Sequence, residues 1–341
     1  MSLRKRVLSR LSRAALDCAG VKLGRTLLAP RYAGNGVIFM LHRVVTDDTP
    51  VIYPGYEVPV GVLDSALALV KRSGWDFVSI GEVCRRLRNP GDQRRFACFT
   101  FDDGYLDNYT LALPVFAKYS APMCVYVSTG ILDRTMSYWW GGLAALVLRN
   151  DEIEVPFPDS PARKFQLRTL QQKRSVYDIL DEQCHQNELF LPYLTSAFEK
   201  YRIDSHSLLD EHALSTDQAR MLARHPLVTI GSHAVTHRRL SSLSESEADS
   251  EITASRKELE ASLSVPVRHI AYPFGGRSAC GEREFTLTRA AGYESGVTTV
   301  RGNILPNHRD QAWMLPRHAL SVNLSTVRNC LFGTEALLRA L

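Results

Sequence analysis

Cys98 to Gly104 reads CFTFDDG, an apolar run that ends in two consecutive carboxylates and a glycine. Neighbouring side chains of a regular strand face opposite sides, but Gly104 permits a turn that brings Asp102 and Asp103 to one pocket at the strand's C-terminal end. In isolation, the plainer reading of D-D-G is a strand-to-helix turn with Asp as helix N-cap. A second stretch, Ile230 to Leu240, reads IGSHAVTHRRL and also follows an apolar run. His233 and His237 stand four apart, a spacing that sets two imidazoles on one face of a helical turn and lets both bind one metal. Two neutral imidazoles and one carboxylate form a facial triad with positions left for water and substrate, as hydrolytic zinc, iron or cobalt centres require. A third stretch, Arg268 to Ser278, reads RHIAYPFGGRS. Its proline and glycine pair make either an ordinary turn or one that presents backbone N–H groups to a ligand, as an oxyanion hole does. His42 closes another apolar run, GVIFMLH.

The elements that must position these residues show in the hydrophobic patterning. Seven candidate strands are read at Gly36 to His42, Asp76 to Ile80, Ala97 to Phe101, Pro122 to Ser128, Leu227 to Ser232, Arg268 to Phe274 and Ser295 to Val300. Helical patterns fall between them at Val60 to Ser73, Tyr109 to Tyr119, Ser244 to Leu263 and Glu282 to Ala291. Ser244 and Glu247 have capping-box spacing. Alternating strands and helices predict a parallel sheet in the α/β class. The interval from Gly130 to Pro226 is too long for a connection and reads as an insertion with its own helices, at Pro161 to His185 and Leu189 to Tyr201. Trp139 and Trp140, near its start, are expected either to stack on a ligand through their ring faces or to pin the insertion to the body.

Composition narrows the classes further. The chain has 341 residues, 45% hydrophobic and 23% charged, which excludes disordered and fibrous classes and suits one barrel with insertions. Its net charge of +5 is uneven: residues 1–31 carry +7 and the rest −2. A near-neutral body does not resemble a phosphate-tracking surface, so no nucleic-acid partner is expected. The basic segment, taken as residues 1–35, reads as an amphipathic helix over 3–16 that would contact an anionic membrane surface through residues 1–31 or pack on the body. Seven scattered cysteines without a C-x-x-C pair suggest buried thiols in a reducing compartment. With neither an export-signal core nor an apolar run long enough to span a membrane, a cytoplasmic location is expected, either free or peripheral to the membrane.

Taken together, the three motifs resemble the polysaccharide deacetylase family, carbohydrate esterase family 4 with its NodB-homology domain. TFDDG (Thr100 to Gly104), SHAVTH (Ser232 to His237) and AYPFG (Ala271 to Gly275) occur in the family's order. The resemblance covers about residues 36–320 and implies a distorted (β/α) barrel of about seven parallel strands. The barrel would run over 36–325 and include the insertion at 131–226, with a C-terminal helix at 326–341. It implies Asp102 as general base, and Asp103, His233 and His237 as ligands of a divalent metal, Zn²⁺ expected and Co²⁺, Ni²⁺ or Fe²⁺ the alternatives. Pro273 and Phe274 would bind substrate, with the Phe274 N–H on the acyl oxygen.

Two departures matter. Ala271 stands where the family has an arginine that orients the base, and Ala234 replaces the usual Ser or Thr between the histidines. The acid histidine of the family's last motif is assigned to His42, which implies a circularly permuted motif order. His318 in MLPRHAL is the rival, and Arg317 beside it is a candidate replacement for the absent arginine. The expected activity is removal of N-acetyl groups from an N-acetylated sugar or polysaccharide. The alternatives are a deformylase or deacetylase of a lipid-linked sugar, and a catalytically silent glycan-binding barrel.

Overall fold

A computed structural model describes residues 33–333, apart from Pro90, Gln93, Asp159 and Asn187. The helix expected over residues 3–16 and the last half of the expected C-terminal helix, residues 334–341, lie outside the described residues. Twelve strands are present: β1 (Gly36–Leu41), β2 (Arg43–Val45), β3 (Glu57–Pro59), β4 (Asp76–Phe77), β5 (Phe96–Phe101), β6 (Met123–Val127), β7 (Glu152–Phe157), β8 (Ser160–Gln166), β9 (Val228–Ser232), β10 (His269–Ala271), β11 (Ser295–Val297) and β12 (His318–Ala319). Seven form a curled parallel sheet in the order β11-β10-β9-β6-β5-β1-β12, and β4 pairs with the first two residues of β5, before β6 begins its pairing. The ends of this row approach each other through a bridge between Val297 and Leu315. The result is the distorted (β/α) barrel that the family resemblance implies, built on the parallel sheet that the alternation predicts.

β5 shows why these segments become central strands. All six of its residues, FACFTF, are buried, as expected for a parallel strand covered on both faces. Helices Val60–Arg72 and Glu245–Leu263 pack outside, and the Ser244–Glu247 capping box forms as its spacing predicts. In-phase register then aligns the strand ends. Leu41 pairs with Phe101, Val127 with Ser232, and Ala271 with Val297. Consequently His42, Asp102 and His233 each sit one residue past a strand, on the catalytic end of a parallel barrel.

The insertion differs in part from its sequence reading. Residues 160–166 form β8, the second strand of an antiparallel hairpin with β7, and the helix begins only at Leu170 (Leu170–Gln186). β8 is almost wholly exposed and rich in charge, so it lacks the apolar alternation by which strands are recognised. Helices Trp139–Arg149, Leu191–Lys200, Ser205–His212 and Thr216–Arg224 complete the insertion. At the other end of the chain, the C-terminal helix starts at Leu324, two residues earlier than expected, on an Asn323 N-cap. The six described cysteines are buried and free.

Candidate active site

Each motif turn is built on backbone that L-residues seldom adopt. Asp103, Ala234, His237 and Phe274 all have positive φ, between 57° and 75°. Such strain costs of order 1–3 kcal/mol per residue and concentrates where side chains must be aimed. Gly104 follows at φ 104°, and a Cβ there would press on Val127 and Ile131. The histidine segment is therefore an irregular loop and not the helical turn that the four-residue spacing suggested. Buried Glu251, on the helix Glu245–Leu263, holds this loop. Its Oε2 accepts from the backbone N–H of both Val235 and Thr236 at 2.9 Å, and Oε1 accepts from the Thr236 hydroxyl.

The loop sets both imidazoles against Asp103. His233 Nε2 and His237 Nε2 each lie 3.3 Å from Asp103 Oδ1. His233 Nδ1 donates to the Ala271 carbonyl at 2.7 Å, which leaves Nε2 of the neutral ring without a proton. Asp103 Oδ1 is buried and accepts no hydrogen bond. Acceptor atoms thus face one another in a cluster whose members lie within 4.8 Å, an arrangement that fits a cation. The other Asp103 oxygen, Oδ2, accepts from Tyr56 at 2.9 Å, and Tyr56 in turn meets the Tyr105 hydroxyl, to which Trp140 Nε1 donates at 2.8 Å.

Asp102 is held separately. Arg317 forms a bidentate pair with it, Nη1 to Oδ1 and Nη2 to Oδ2, both 2.7 Å. The guanidinium is fixed by donating also to Thr100 Oγ1 and the Thr298 carbonyl. Burial opposes ionisation of Asp102, yet Arg317 prevails and keeps the carboxyl below its ordinary value. Arg317 occupies in space the role of orienting cation that Ala271 cannot fill. It precedes β12, a two-residue strand that the patterning did not reveal.

His42 lines the same cavity, stacked on Tyr56 at 4.4 Å between ring centroids, with Nε2 4.0 Å from Asp102 Oδ2. Burial lowers its basicity more than Asp103 and Asp102 raise it. His318 is buried away from the cavity lining, its Nε2 2.9 Å from Asn303 Oδ1. Of the third motif, Phe274 lines the cavity, whereas Pro273 shapes the turn without lining it. Gly275, at φ 50°, closes that turn where a Cβ would collide with the Thr299 nitrogen at 2.8 Å. Among the described residues the Phe274 N–H has no acceptor, and its carbonyl accepts from Thr299 Oγ1. The patterning gave no signal for Tyr56 or Glu251, which act on the site from separate segments, nor for Tyr105, which directly follows the TFDDG motif.

The class that fold and site define is a parallel α/β barrel with a His₂Asp cluster and a second, arginine-held aspartate at its strand ends. The sequence model described as polysaccharide deacetylase matches residues 157–295, which include the histidine motif and the Phe274 turn. No curated protein matches the chain in sequence. Among solved structures, the Streptococcus pyogenes deacetylase PplD in complex with acetate is similar at a TM-score of 0.57 and 19% identity, over 86% of this chain and 96% of that one. A de-N-acetylase from Aggregatibacter actinomycetemcomitans aligns at 0.55 and 15%, over 87% and 99%. IcaB from Ammonifex degensii aligns at 0.54 and 15%, over 89% and 97%. At these identities the solved structures speak for the fold. The family match, over residues 157–295, and the fold likeness both point to the polysaccharide deacetylases, which the chain resembles.

Proposed function

We propose that this enzyme removes the N-acetyl group of an acetylated amino sugar, with a divalent metal held by Asp103, His233 and His237. The observation that carries the reading is the bare Asp103 Oδ1 between two imidazole nitrogens, in a cavity that Asp102 and His42 also line. Nitrogen and carboxylate donors in this number suit zinc, and a bound zinc ion supplies Lewis acidity toward water and the acyl oxygen.

The protein's own groups account for the proton movements. Asp102, kept ionised and oriented by Arg317, accepts a proton from the attacking water at Oδ2, the oxygen nearest His42. The Phe274 N–H faces the cavity turn and donates to the acyl oxygen as negative charge develops there. His42, which burial keeps neutral at rest, has Nε2 4.0 Å from Asp102 Oδ2 and receives the proton by way of the reacting hydroxyl between them. It then delivers that proton to the departing amine nitrogen, and acetate and the free amino sugar are released.

The Asp102→Asn enzyme is expected to keep its metal while turnover falls about 10²- to 10⁴-fold, the contribution of a general base. His233→Ala and His237→Ala are expected to lose the metal. Acetate release from N-acetylglucosamine oligomers and elemental analysis of the purified proteins read both effects. Unchanged turnover in the first variant removes Asp102 as the base, and unchanged metal content in the other two removes the triad.

A further inference from the structure

The insertion helix Leu170–Gln186 is fastened to opposite sides of the barrel mouth. Near its start, Arg174 Nε donates to the Val51 carbonyl at 2.9 Å, and Tyr177 packs on Tyr53 with centroids 5.5 Å apart. Both partners lie on the loop between β2 and β3, beyond the end of β1. Near its C-terminal end the His185 carbonyl accepts from Arg239 at 3.0 Å, and the His185 ring meets Phe274 edge-on at 5.3 Å. These partners follow β9 and β10. From Arg174 to His185 is about 16 Å of helix at 1.5 Å per residue, enough to cross the mouth from one wall to the other.

One face of this span looks down. Tyr177, Asp181 and His185 recur every four residues and all three line the catalytic cavity, while Val176, Leu180 and Cys184 pack into the insertion. The helix divides the mouth in two. On the side of β5 and β6, the space is filled by Tyr105, Tyr138 and Trp140, all buried. A neighbouring cavity lies beyond, but Tyr53, Tyr56, Trp140 and Tyr177 line both spaces and form the wall between them. That wall is tied by the Trp140–Tyr105–Tyr56 hydrogen bonds and the Tyr53–Tyr177 contact. On the side of β11 and β12, the lining is Thr299, the exposed Arg301 and Ala319. The enclosed volume is about 350 Å³, at the small end of the ligand-pocket range of roughly 300–1,000 Å³.

We propose that the bridging helix makes this a one-ended pocket that takes the terminal, or only, sugar of its substrate, entering from the β11–β12 side, with Asp181 accepting hydrogen bonds from that sugar's hydroxyls. A chain bound at an internal unit must leave the site in two directions, and the helix with its wall of rings closes one of them. Asp181 is the carboxylate of the cavity that neither Arg317 nor the His233–His237 pair engages; its Oδ2 lies 3.5 Å from His185 Nδ1, which leaves Oδ1 for a sugar hydroxyl. This inference rests on the deacetylase reading of the site.

The test uses metal-loaded full-length enzyme and N-acetylglucosamine oligomers of one to five units, with the position of each lost acetyl group mapped by tandem mass spectrometry. Acetyl loss confined to one terminal unit is expected, with kcat/KM changing less than about threefold from dimer to pentamer. Asp181→Ala should raise KM about tenfold or more with little change in kcat, the effect of losing a charged hydrogen-bond acceptor, and Tyr177→Ala should begin to admit internal units. Acetyl loss from internal units by the wild-type enzyme overturns the one-ended pocket and leaves deacetylation standing. An unchanged KM in Asp181→Ala overturns the role of Asp181. Absence of acetate release from every oligomer, with metal bound, overturns the deacetylase reading itself and this inference with it.

Discussion

Asp102 and Arg317 are both buried almost completely, and their pairing is bidentate. A buried pair of this kind adds little net stability, because desolvation offsets the attraction, but removing one partner strands the other charge. Arg317→Met is therefore expected to cost about 3–5 kcal/mol in denaturant unfolding. The double variant Asp102→Asn/Arg317→Met should regain much of that loss, since no uncompensated charge then remains. If the double variant is no more stable than Arg317→Met alone, the pair is not the source of the cost.

At the scale of elements, the histidine loop depends on a helix that contributes nothing to the cavity lining. Glu251 satisfies two backbone N–H groups and one hydroxyl of residues 235–236, between the two imidazoles. Groups that orient ligands from behind typically account for 10- to 100-fold in metal affinity. Glu251→Ala should weaken metal binding by about that factor in a competition titration with a chelator, while the Asp102–Arg317 pair is untouched. Undiminished affinity would show that the positive-φ turns at Ala234 and His237 hold their shape unaided.

For the whole molecule, stability should fall toward acid through histidines remote from the proposed metal cluster. His269 opens β10, at the strand's other end from the site, with Nδ1 2.9 Å from Ser295 Oγ. Burial, with Arg268 and Arg88 adding to it, lowers its pKa to about 4. In the unfolded chain it protonates near 6.5. Between these values the unfolded state holds more protons, so stability declines as pH falls from about 6.5 toward 4, by up to about 1.4 kcal/mol per pH unit for this one group. His212, lowered to about 3 by burial and by Arg43 and Arg149, acts in the same direction. His269→Gln should flatten the acid limb of a plot of unfolding midpoint against pH. A slope equal to that of the wild type would assign the acid sensitivity elsewhere.

The chemistry was legible in the sequence wherever it is carried by contiguous residues after an apolar run. TFDDG, SHAVTH and AYPFG each join a strand to its turn, so local patterning was enough to place Asp102, Asp103, His233, His237 and Phe274 at strand ends, and parallel register does the rest. The alternation of strands and helices likewise implied the parallel sheet, and the family resemblance its closure into a barrel. What only tertiary structure decided depends on residues far apart in the chain. Arg317 reaches Asp102 across 215 positions, from a strand too short to leave a periodic signal. Tyr56, 47 positions before Asp103, braces it through a hydroxyl that no spacing rule connects. The preference of the cavity for His42 over His318 comes from where β1 and β12 end in three dimensions. The helix over the mouth read as part of an insertion, but its two anchors lie on loops more than fifty residues away on either side. Local sequence determines what a turn can present, and only the closed barrel determines what faces it.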